Sequence, residues 1–151
     1  MGASDAHIFR NLRFSGESVA SSVLRFDREL WDKYMEYIRK CGVNTLIIDV
    51  AEAMIYESHP ELAVEGSWTK EEMRAEVERL QNMGFEVVPK LNFSAGHDIW
   101  LKDYSFMVSS ELYRQVCADL IKEVAEVFKP KYFHLGMDEE GDSQFANRME
   151  L

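Results

Sequence analysis

Seven consecutive residues near the end of the chain, His134-Leu135-Gly136-Met137-Asp138-Glu139-Glu140, combine an imidazole, a glycine and three carboxyl groups. Neighbouring carboxyls and an imidazole are the groups that move protons in acid–base catalysis at ordinary pH. Alternation with period two, beginning after Pro130, puts Phe133, Leu135 and Met137 on one face of a strand. His134, Gly136 and Asp138 fall on the other. One face can then pack while the opposite face leads to acids at the carboxyl end, where α/β folds hold ligands and carry out chemistry. Acids in that place can also cap a following helix, but the polar groups within the strand favour a functional ladder. On the same parity, Asp49, Lys90 and Asn92 would join His134 and Asp138 in one interior. Such a ring is costly unless its members pair with one another or bind something polar, so a purely internal ion-pair network is the competing reading.

Those groups must be positioned by regular elements. Three helical stretches carry caps and apolar stripes. The first runs from Asp27 through Leu30, Tyr34, Ile38 and Cys41 to Gly42. The second opens on a capping box, Thr69-Lys70-Glu71-Glu72, and continues through Met73, Val77, Leu80 and Met83 to Gly84. The third begins near Ser109 or Ser110 and runs through Leu112, Val116, Leu120, Val124 and Phe128 to Pro130. Apolar strand-like runs follow each, from Asn44 to Val50, Phe85 to Asn92 and Tyr132 to Met137. An earlier run from His7 to Phe14 completes a β-α-β-α-β-α-β order. The fold expected is therefore α/β, a parallel (β/α) barrel of TIM type, of which residues 1–151 form a single domain of four βα-type units, about half a barrel. Short links before the strands and long ones after them, from Ala51 to Trp68 and from Phe93 to Val108, suit a barrel whose function lies on its top face.

Composition bounds the partners. Hydrophobic residues make up 46% of the chain and aromatic ones 12%, which excludes a disordered segment. Net charge is −10, from 27 acids against 17 bases, with no basic run, so nucleic acid and anionic membrane surfaces are poor partners. No stretch is long enough to span a membrane, and the start lacks an apolar signal core. The compartment stays open between the cytoplasm and export with a leader removed. Cys41 and Cys117 read as buried small apolar residues rather than a redox or metal motif.

The segment from Gly42 to Glu140, about two thirds of the chain, resembles the first half of the catalytic barrel of family-20 glycoside hydrolases, the β-N-acetylhexosaminidases. His134-Leu135-Gly136-Met137-Asp138-Glu139 matches their His-x-Gly-x-Asp-Glu signature. Val88-Pro89-Lys90-Leu91-Asn92-Phe93-Ser94-Ala95-Gly96-His97 is similar to their third-strand segment, Val-Pro-Glu-Ile-Asp-x-Pro-Gly-His. The order Asn44-Thr45-Leu46, His59-Pro60-Glu61-Leu62 and Gly66-Ser67-Trp68-Thr69 is also similar. The resemblance implies a carbohydrate substrate, no cofactor and no metal. Asp138 would then orient and stabilise the substrate's acetamido group, and Glu139 would be the general acid of substrate-assisted retaining hydrolysis. Arg10, Glu52, Asn92, His97 and His134 are the implied substrate-binding set. The wording departs from the family at Lys90 and Asn92, which replace acids, and at Ser94-Ala95, which replaces a proline. The family's enclosing second half is missing, so the chain alone is expected to be incomplete or inactive.

Two rival functions remain. A metal-dependent hydrolase barrel would draw on His97, Asp98, His134, Asp138, Glu139 and Glu140, although no HxH or HExxH spacing supports it. A non-catalytic carbohydrate-binding or assembly domain would use Tyr56, Trp68, Phe93 and Trp100 to stack on sugars, unless they merely pack the loops. An open half-barrel would also expose two strand edges and an apolar face, so a homodimer covering that face is expected.

Overall fold

The computed structural model describes residues 22–93, 99–108 and 110–137. Within them, helix α1 (Arg28–Lys40) leads to strand β1 (Thr45–Asp49). Helix α2 (Lys70–Asn82) then precedes strand β2 (Glu86–Lys90), and helix α3 (Glu111–Phe128) follows a 3-10 stretch at Ile99–Phe106. Shorter 3-10 turns occupy Ala51–Ala53 and Pro60–Leu62.

Each helix starts where its capping chemistry says it should. The Asp27 carboxylate accepts from the Leu30 amide at 2.9 Å. At α2 the Glu72 amide donates to the Thr69 hydroxyl at 3.2 Å while the Thr69 amide donates to the Glu72 carboxylate at 2.8 Å, a complete capping box. The Ser110 hydroxyl accepts from the Tyr113 amide. The stripes lie close to those expected, with offsets. On α1, Met35 is buried with Trp31, Tyr34 and Ile38 packed beside the core, whereas Leu30 and Cys41 are exposed. On α3, Val116, Cys117, Leu120, Val124 and Phe128 are buried but Leu112 is not.

The sheet overturns the expected half-barrel of four βα units. Among the described residues it has two strands, β1 and β2, parallel and in register from Thr45 opposite Glu86 to Asp49 opposite Lys90. The run from Tyr132 to Met137 lies beside β2 but makes one parallel bridge, His134 with Lys90, rather than a third strand. The His134 amide donates to the Pro89 carbonyl, and the Leu91 and Phe93 amides donate to the carbonyls of His134 and Leu135. Two local features cut the ladder short. Proline has no N–H, so Pro89 offers no donor toward residue 132. Gly136 adopts φ +71°, and its amide turns back to His134 Nδ1 at 3.0 Å, out of ladder geometry. The alternation read from the sequence is also not expressed as burial, since Leu135 and Met137 are both exposed. The strand expected from His7 to Phe14 lies outside the described residues.

Candidate functional site at the strand ends

Both described strands finish in polar residues. Asp49 closes β1, and Asn92 lies just past β2; both are buried, Asn92 at 2% exposure. The Asn92 side-chain amide donates to Asp49 Oδ2. This joins two of the groups that parity had assigned to one interior. A buried carboxylate and carboxamide bonded to one another avoid much of the desolvation cost each would bear alone.

Asn92 sits at φ +54°, in the left-handed region that asparagine tolerates better than most residues. Its carbonyl accepts from Trp100 Nε1 at 3.1 Å, which fastens the loop after β2 over the strand end. Directly against it lies Gly136. A Cβ at position 136 would stand 2.5 Å from Asn92 Cα and 2.7 Å from its amide nitrogen, so the approach is open to glycine alone. The glycine of the His-x-Gly-x-Asp-Glu run thus rests on the asparagine that ends the neighbouring strand.

The remaining sequence-derived residues divide. Glu52 is buried in the 3-10 turn after β1, and its backbone carbonyl accepts from the Ser67 hydroxyl at 2.7 Å. Tyr56, whose hydroxyl donates to the Ala51 carbonyl, is held well above its usual ionisation range by burial, with the charges of Asp49, Glu52 and Glu123 adding to it. It therefore stays protonated, a donor only toward Ala51. His134 is exposed on its bridge to the half-buried Lys90. Arg10, His97, Asp138 and Glu139 lie outside the described residues. Among the described residues, no group of three or more His, Cys, Asp or Glu side chains is arranged to hold a metal ion.

The loop aromatics that could have stacked on a sugar, Tyr56, Trp68, Phe93 and Trp100, are engaged internally, whereas Phe106 is exposed. Tyr56, Phe93 and Trp100 are fully buried, with the Trp100 ring 6.2 Å from Tyr56 and 6.3 Å from Phe93. Their faces are spent on one another rather than offered to a sugar. Trp68 packs edge-on to Phe26 and lies under the Arg28 guanidinium at 5.1 Å.

Two polar clusters that brace these loops were not singled out from the sequence. Glu123 of α3 accepts from the backbone amides of Glu57 and Ser58, both at 2.8 Å, and pairs with Lys70 at 2.9 Å. Burial alone would raise its pKa, but the Ser58 hydroxyl, Lys70 and the two amides outweigh it and bring the carboxyl from 4.5 down to about 2. In the second, His59 faces Glu61 at 3.1 Å and Asp119 at 3.6 Å, and the Tyr104 hydroxyl donates to Glu61 at 2.8 Å. These contacts tie the loop after β1 to α3 and to the loop after β2. One signal was available: Glu123 falls on the apolar face of α3 among Val116, Leu120 and Val127, a place where an acid needs a partner.

No family model matches the chain. The chain is 21% identical over 140 residues to lacto-N-biosidase of Bifidobacterium bifidum, a glycoside hydrolase. That alignment takes in 82% of this chain and 12% of the length of that protein. The likeness amounts to a glycoside-hydrolase-like relation and carries neither a substrate nor a mechanism.

Proposed function

We propose that the chain carries part of a glycoside-hydrolase site that cleaves β-N-acetylhexosaminides with the help of the substrate's own acetamido group. The observation that carries this reading is the seating of Gly136 on Asn92, two residues ahead of Asp138 and three ahead of Glu139. A signature glycine with no clearance against a neighbouring strand end makes a fixed departure point for the acids that follow. The likeness to lacto-N-biosidase supports the same class of chemistry. Because the chain spans 12% of that relative, the activity of the whole protein belongs to the proposal.

In this mechanism Asp138 accepts a hydrogen bond from the acetamido N–H and orients its carbonyl oxygen toward the anomeric carbon. That oxygen forms a bond to the carbon as the glycosidic C–O bond breaks, and Glu139 delivers its proton to the departing oxygen. The resulting oxazolinium is opened by water, whose proton returns to the Glu139 carboxylate. The configuration is retained through two inversions. Arg10, Glu52, His97 and His134 serve sugar hydroxyls and the positioning of the acids.

The test uses the full chain and a substrate whose leaving group needs protonation, such as diacetylchitobiose. With only part of the site, the chain is expected to bind it and hydrolyse it slowly, and Glu139→Gln to lose at least about a hundredfold of that kcat with sugar binding retained. Wild-type chain that neither binds nor cleaves the disaccharide refutes the reading, and so does undiminished turnover by the variant.

A further inference from the structure

We infer that Asn92 is a positioning residue for the proposed acid pair, holding the acids' departure point from below instead of touching the sugar. This rests on the reading of Asp138 and Glu139 given above.

Three observations converge on this one side chain. The residue is 2% exposed and its carboxamide donates to Asp49, so it is committed to the end of β1. Its carbonyl is committed to Trp100, and its backbone is in contact with Gly136. Asn92 therefore links the end of β1, the loop after β2 and the Gly136 turn. The flanking bonds from Leu91 to His134 and from Phe93 to Leu135 hold the same register on either side of it. Moving Asn92 must move Gly136, because nothing separates them. A shift of about 1 Å in a catalytic group is enough to cost on the order of a hundredfold in rate.

The asparagine–aspartate pairing also has a polarity that can be tested. Asn92→Asp removes the donor and sets two carboxylates against each other at neutral pH. At acidic pH one of them takes up a proton and the hydrogen bond re-forms, carboxylic acid to carboxylate. The reciprocal double variant, Asp49→Asn with Asn92→Asp, restores one donor and one acceptor at every pH, with the direction reversed.

The measurement is kcat and KM for diacetylchitobiose from pH 4.5 to 8, on the full chain, for wild type, N92D and D49N/N92D. N92D is expected to lose at least about tenfold in kcat at pH 7 with KM changed less than about threefold, since the sugar contacts stay in place. The deficit should narrow toward pH 4.5 and be largely repaired at pH 7 in the double variant. A uniform loss of folded protein would lower the apparent activity of N92D without this pH profile or this rescue. Wild-type kcat in N92D at pH 7, a deficit independent of pH, or a double variant as impaired as N92D overturns the assignment and leaves the proposed function intact. No turnover by the wild type removes the proposed function and this assignment together.

Discussion

Replacing Glu123 by glutamine is expected to destabilise the chain at neutral pH and to do so progressively less in acid. The carboxylate holds the backbone amides of Glu57 and Ser58 and the Lys70 ammonium, with its own side chain 9% exposed. Those partners draw its pKa from 4.5 to about 2 against the opposing effect of burial. At about 1.4 kcal/mol per unit, such a depression corresponds to about 3 kcal/mol of folding stability. Lys70 also pairs with the well-exposed Glu57, where water screens part of the interaction, so about 2 kcal/mol is the working figure. The direction with pH follows from proton uptake. As pH falls through 4.5 the unfolded chain takes up a proton that the folded carboxylate refuses until about pH 2. Stability from this group is thus complete above pH 4.5 and lost progressively below it. The gap between wild type and E123Q should shrink by about 1 kcal/mol between pH 7 and pH 3.5. Urea unfolding of both proteins at a series of pH values, followed by tryptophan fluorescence, reads this gap directly, and comparing the two cancels the titration of other groups. A gap that stays constant from pH 7 to pH 3.5 refutes the reasoning, because it would mean that glutamine loses packing alone.

Gly136→Ala should cost about 2–4 kcal/mol, combining a left-handed φ of +71° with a methyl driven against the Asn92 backbone, and a change below about 0.5 kcal/mol in urea denaturation would contradict it. Self-association is expected from the exposed Ile47, Tyr132, Leu135 and Met137, which lie on β1 and on the run beside β2. Light scattering over a concentration series tests this, and a mass of 17.5 kDa throughout rejects it.

Much of the local structure was legible in the residues alone. Asp27, Thr69 and Ser110 mark helix starts because the orphan amides of a first turn take whatever side-chain oxygen stands three residues earlier. The runs Asn44 to Val50 and Phe85 to Asn92 became β1 and β2 for an equally local reason, since short apolar runs set off by Gly42 and Gly84 favour strands, although Ile47 of β1 stays exposed. The meeting of Asp49 and Asn92 followed from strand parity. Other outcomes depended on neighbours that no local pattern encodes. Tyr132 to Met137 alternates like a strand, yet Pro89 on the adjacent strand β2 withholds a donor and the Gly136 amide turns to its own histidine. Tyr56, Phe93 and Trp100 look like sugar platforms in sequence, but three large rings on two adjoining loops bury more apolar surface against each other than each could alone. Glu123 and Lys70, far apart in the chain, became a loop clamp only when α2 and α3 packed side by side. Capping and strand character are decided within a few residues, whereas ladder completion, ring burial and charge pairing depend on what the rest of the fold brings to the other side.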